Sequence, residues 1–352
     1  MNVQLMARPI AVTAEVSRRF ANMSFLCAVL VVLLHCSIAV RTDIPYLIFR
    51  GLSCDGLCRI AIPWFSFAAG FFFVSHFSEP DWYCQAMLKR IRTLLVPYWL
   101  WFILGMIVVP IVIRALQNQQ IGCGWLKDPD LFLQLVGLHL SSSCGMLWYL
   151  RTLFLILLLV PLVVKAGWVG WFVCCIGYVV FQIWSYPSHG AERFFEYCFS
   201  LRVSAYVFAG VFARLGLLRC PPPYGGVAIL GLMSICAKMI FLRYKLYYWA
   251  GVCDVAMVPG LMVLMYEICG KFSLPRLLTS LSFPIYMVHV VVLRMIRMYY
   301  HEIHGVRAIG CFIIALAASI GISLLICLFM PKTESLLFGN RFGLGKIRGC
   351  AK

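Results

Sequence analysis

FLCAVLVVLLHCSIAV, residues 25–40, decides the class of this protein. The run is nearly all apolar and carries one imidazole, His35, about two-thirds of the way along. A neutral imidazole costs far less to bury than a charge and titrates near physiological pH, so His35 can either move a proton or hydrogen-bond a neighbouring helix. Both readings stand at this point.

Composition extends that stretch to the whole chain. Of 352 residues, 63% are hydrophobic and 12% charged, whereas a soluble domain is about half apolar and a quarter charged. A spanning helix needs about 20 mostly apolar residues. Ten stretches qualify: 23–40, 60–77, 94–113, 147–164, 168–184, 198–215, 225–242, 251–267, 280–298 and 308–330. The fold class is therefore all-α, a polytopic membrane protein of about ten transmembrane helices. Residues 1–22 are expected to form a polar N-terminal segment, 23–330 the membrane domain and 331–352 a basic tail near the membrane surface. The stretch LFLQLVGLHLSSS (131–143) fits a short interfacial or re-entrant helix.

The net charge of +17 suggests nucleic acid in a soluble protein. Here the basic residues lie mostly between apolar spans, where they orient the chain and contact lipid headgroups, so no nucleic-acid partner is expected. Lys and Arg outside the spans, with Arg214 at the end of its span, number 16 on the side of the termini and 9 on the other. The positive-inside rule then makes both termini cytoplasmic. Most of the 17 cysteines fall within spans and behave as small apolar residues; Cys54-x3-Cys58 lacks a nearby His pair, so no metal is expected.

Several groups could carry chemistry. LSFPIYMVHVVVL places Ser282, Tyr286 and His289 on one helix face at spacings of four and three. They fit an interhelical hydrogen-bond set or, with His35, a shared polar centre. Lys89, Arg90 and Arg92 sit where a span opens; they fit either topology and lipid anchoring or a dock for phosphate groups. Trp148 and Arg151 open the fourth span, as a belt aromatic and a snorkelling cation would. Asp254, within a span, needs either a basic partner such as Lys238 or Arg202, or a proton.

Six stretches in order, FLCAVLVVLLH (25–35), IPWFSFAAGFFF (62–73), KRIRTLLVPYWLW (89–101), LWYLRTLFLILLLVP (147–161), LRVSAYVFAGVFAR (201–214) and LSFPIYMVH (281–289), resemble the integral membrane acyltransferase-3 family over about residues 20–330. The resemblance implies a ten-helix enzyme of the inner (cytoplasmic) membrane. Such an enzyme moves an acyl group, most often acetyl, from acetyl-CoA or another acyl-CoA to a hydroxyl of a cell-envelope glycan or lipid-linked sugar. Acyl-CoA is then a co-substrate, and no tightly bound cofactor is implied. By position, His35 is similar to the family's catalytic base. Lys89 and Arg92, with Arg90 between them, match its basic cluster for CoA phosphates. Trp148, together with Tyr286 and His289, matches its later motifs. Arg151, Ser282, Tyr286 and His289 are candidates to line the site or hold the oxyanion. One departure stands out: where the family carries an arginine eleven positions before the histidine, this chain has Ser24. Arg18 and Arg19 fall on other helix faces. The competing expectations are a transporter or flippase using Asp254, Lys238 and the histidines, and a family member without catalysis.

Overall fold

The first helix, α1 (Ala14–Cys36), starts nine residues before the predicted span. Thr13 Oγ1 accepts the Val16 N–H at 3.2 Å, satisfying an otherwise orphan donor of the first turn. Glu15 and Arg19 pair at 2.5 Å one turn apart. Polar composition ends the hydropathy signal at this end but does not end the helix.

The structure, a computed structural model, describes residues 9–36, 51–105, 111–112, 115, 147–184, 200–218, 224–244, 246–299 and 306–338. The expected interfacial segment 131–143 and the tail beyond residue 338 lie outside them. A turn of 3-10 helix (Leu57–Ile60) leads into α2 (Ala61–Phe73). α3 (Trp82–Arg90) joins α4 (Val96–Ile103) through a widened turn, Ile91–Leu95. Pro97 explains the widening: it has no N–H and its ring crowds the carbonyl four residues back. The Val96 N–H instead reaches the Ile91 carbonyl, five back, as in a π-turn.

α5 (Trp148–Ala166) and α6 (Trp168–Trp184) meet at Gly167, whose φ of 61° suits glycine. There follow α7 (Leu201–Arg214), α8 (Tyr224–Arg243), α9 (Tyr247–Gly270), α10 (Arg276–Ser280), α11 (Ser282–Tyr299), α12 (Val306–Phe329) and α13 (Pro331–Phe338). Among the described residues there is no strand. Each of the ten predicted stretches overlaps a helix. Six helical segments are long and apolar enough to cross a membrane: Ala14–Cys36, Gly51–Phe73, Trp148–Ala166, Gly225–Arg243, Trp249–Gly270 and Ile309–Phe329. Outward faces of α6 and α12 carry Val169, Phe172, Ile313 and Phe329, all more than half exposed. Such apolar faces suit lipid and not water.

Backbone proximity fixes one crossing. A Cβ on Gly70 would lie 1.9 Å from the Val207 carbonyl oxygen, and one on Gly210 2.0 Å from that of Phe67. α2 and α7 therefore touch through their main chains, as small residues permit in membrane bundles. Elsewhere polar pins join helices. Lys238 of α8 and Asp254 of α9, both almost fully buried, pair at 2.6 Å, and the Lys238 ammonium also donates to the Asp55 carbonyl at 2.8 Å. Asp254 thus takes Lys238 as its partner.

Candidate functional site

α1 and α11 form the spine of the site and run in the same direction: Ser24 and Ser282, near one end, line one cavity, and His35 and His289, further along each helix, are neighbours. At one level the buried Asn22 amide donates to the Cys269 and Phe272 carbonyls at 3.0 and 2.9 Å, and its oxygen accepts the Leu274 N–H at 3.3 Å. Thirteen residues further along α1, about 20 Å of helix, the His35 ring meets the His289 ring of α11 at 5.5 Å between centroids. The two histidines are separated by most of the chain and become neighbours only through this parallel packing.

Between those levels lies a cavity of about 200 Å³. Its polar lining comprises Ser24 of α1, Arg90 of α3, Tyr149 of α5 and Ser282 and Tyr286 of α11; the rest is apolar, including Phe72. Ser24 and His35 are eleven residues apart, about three helical turns, so they share one face of α1. Ser24 Oγ accepts the Trp64 Nε1–H at 3.1 Å, which seats Ser24 against α2 at the cavity wall.

The three cations of the basic cluster divide by helix face. Arg90 follows Met87 by three residues and precedes Leu94 by four; both of these apolar residues are buried. Arg90 is the polar member of that inward stripe and lines the cavity, whereas Lys89 and Arg92 are exposed. Arg18 and Arg19 are committed elsewhere. Arg18 donates to the Gly270 carbonyl at 3.1 Å, and Arg19 binds Glu15 and Glu267 and sits 5.4 Å over the Tyr266 ring. Those contacts hold the start of α1 to the carboxyl end of α9, where cations are favoured. The cavity therefore receives its positive charge from α3.

Tyr286 links the cavity to the histidines. It lines the cavity, and its ring lies 5.8 Å from His289 and 6.2 Å from Tyr149. His35 and His289 are not among the cavity-lining residues; they sit about one turn beyond it along α11. Tyr149 was absent from the sequence-based candidates, although it follows Trp148 directly. It is buried and receives a hydrogen bond from Ser66 Oγ at 3.4 Å. Trp148 packs at the core margin, 6.1 Å from Tyr149, and Arg151 is enclosed by protein at 5% exposure; neither lines the cavity. Among the described residues no cluster of three His, Cys, Asp or Glu could hold a metal ion.

This arrangement can do two things chemically. A small cavity with a mostly apolar lining and one guanidinium can accept a slender group bearing a polar or anionic end. Two imidazoles one turn further on can accept and release a proton. Comparison with known proteins bears on that reading. No curated protein matches the chain, and neither does any solved structure. A family profile described as an acyltransferase domain matches residues 23–328. That match covers every residue of the cavity and both histidines, and by it the chain belongs to the acyltransferase-3 family.

Proposed function

We propose that this protein is a multi-pass enzyme of the inner (cytoplasmic) membrane that transfers an acyl group, acetyl in the simplest case, from acyl-CoA to a hydroxyl of a cell-envelope glycan or lipid-linked sugar. In this reading the chain crosses the bilayer ten times with both termini cytoplasmic. The observation that carries it is the cavity beside Ser24 and Arg90, which leads through Tyr286 towards the histidine pair on two parallel helices. A pantetheine arm is long and slender and carries amides, which the polar lining of Ser24, Tyr149 and Ser282 can meet. Arg90 supplies a guanidinium for the donor, with Lys89 and Arg92 outside to attract CoA phosphates. The thioester carbonyl then lies near His35.

His35 acts as the general base. As the acceptor oxygen bonds to the thioester carbon, His35 takes the hydroxyl proton; the C–S bond breaks and the proton goes to the departing sulfur. No covalent acyl-enzyme is needed. Tyr286, and Ser282 at the cavity wall, can donate hydrogen bonds to the developing oxyanion.

The test uses the full-length chain in lipid nanodiscs with labelled acetyl-CoA and total envelope glycan. Label should pass to glycan, and His35→Ala should slow transfer by about 10²- to 10⁴-fold. An unaffected His35→Ala variant would remove the base assignment. Two other readings have their own outcomes. Proton-coupled glycan movement without label transfer would make the protein a transporter or flippase. Absence of CoA binding, unrescued by Ser24→Arg, would make it a family member without catalysis.

A further inference from the structure

His289 is wholly enclosed, at 0% exposure. Its Nδ1 lies 3.2 Å from the Ile285 carbonyl oxygen, one turn back on α11. A carbonyl only accepts, so Nδ1 carries the ring proton and the neutral imidazole presents Nε2 as a bare lone pair. Among the described residues that nitrogen has no hydrogen-bond partner. An unsatisfied buried acceptor costs about 1–3 kcal/mol. Asn22 on the neighbouring helix, by contrast, uses both amide donors and its oxygen. This tautomer also means that neutral His289 has no N–H to offer an oxyanion from Nε2; what it offers is basicity.

The ring next to it is His35, with planes 27° apart and centroids 5.5 Å apart. That separation exceeds face-to-face contact between flat rings, and proton exchange between them requires a turn of the His35 ring that brings one of its N–H groups to the His289 lone pair. His35 is half-buried and His289 wholly buried.

We propose that His289 is a proton-relay residue acting through His35. The inference rests on the acyl-transfer reading with His35 as base. When the acceptor oxygen bonds to the thioester carbon, its proton passes to one nitrogen of His35, and the proton on the other nitrogen of His35 passes to His289 Nε2. As the C–S bond breaks, the transfers reverse and the proton ends on the thiol sulfur, leaving ester, thiol and two neutral imidazoles. Two positive charges on rings this close would repel each other, so one charge is shared between them. The relay therefore spreads a single charge over both rings.

Two variants separate this role from a structural one. His289→Asn retains an N–H for the Ile285 carbonyl, and His289→Gln retains a hydrogen-bond acceptor near the Nε2 position; neither takes up a proton. In full-length protein in nanodiscs, with acetyl-CoA and total envelope glycan, both should lower kcat by at least about 10-fold with the KM for acetyl-CoA unchanged. The proton inventory in mixed light and heavy water should change from a curved two-proton form to a linear one. Full activity in His289→Asn, or an unchanged proton inventory in both, would overturn the relay. A second measurement does not need turnover: in histidine-labelled protein, the ¹⁵N signal of His289 Nε2 should shift as His35 takes up a proton, and should lose that shift in His35→Ala. Uncoupled signals overturn the pair whatever the reaction. Coupled signals in a chain that transfers no label would keep the pair and discard the acyl-transfer reading.

Discussion

Replacing Asp254 by Ala should unfold this protein far more readily than its position away from the cavity suggests. Lys238 and Asp254 are each 2% exposed, their charged atoms are 2.6 Å apart, and the ammonium has one further partner in the Asp55 carbonyl at 2.8 Å. Among the described residues, removing the carboxylate leaves the buried ammonium hydrogen-bonded to the Asp55 carbonyl alone, and removing Lys238 leaves a buried carboxylate without its cation. Breaking a pair of this kind costs about 3–5 kcal/mol, and each tenfold in an equilibrium takes about 1.4 kcal/mol. Either single variant should therefore raise the unfolded fraction by about 10²- to 4 × 10³-fold. The double variant Lys238→Met with Asp254→Leu leaves no charge to desolvate and keeps the volume apolar. Its remaining cost is the Asp55 carbonyl without its donor, about 1–3 kcal/mol. Additivity would instead require about 6–10 kcal/mol, twice the single-variant cost. Reversible unfolding in bicelles measures all three variants. Additive losses, or single losses below about 1 kcal/mol, would refute the view that the two charges exist for each other. The same double variant tests the transporter reading: acyl transfer should survive in it, whereas a proton route through these groups would be severed.

The remaining expectations concern the cavity and the helix crossing. Arg90→Ala should weaken acetyl-CoA binding by about 10- to 100-fold, the loss of one charged hydrogen bond. Lys89→Ala and Arg92→Ala, on the exposed face, should each alter it only about twofold at moderate salt; isothermal titration in nanodiscs checks the ranking, and equal losses in all three would remove Arg90's special place. Gly210→Ala puts a methyl group 2.0 Å from the Phe67 carbonyl oxygen, a backbone atom that cannot turn aside. It should destabilise the fold by about 1–3 kcal/mol, seen in the same unfolding assay; a neutral outcome would mean that α2 and α7 do not meet backbone to backbone.

Membrane class, the approximate course of the helices and the ordered motifs were legible in the sequence because hydropathy is a local property. Twenty apolar residues announce a span wherever they occur. The start of α1 was not legible in this way: Glu15, Arg18 and Arg19 look like a solvated leader by composition, yet they bind one another or the end of α9. The inward stripe Met87, Arg90, Leu94 was readable in principle from its helical spacing. It singles out Arg90 over Lys89 and Arg92, but three adjacent cations obscure it.

What the sequence determined by itself is the apolar stretch 25–40 with a histidine inside it, and a second histidine on another apolar helix. Only the tertiary structure decided that α1 and α11 lie side by side and parallel, that His35 faces His289, and that Ser24 and Arg90 share one cavity. The physical reason is that a helix's partners depend on the shape of its packed faces and on pins such as Asn22 and the Lys238–Asp254 pair. Complementarity of that kind has no period along the chain from which it could be read.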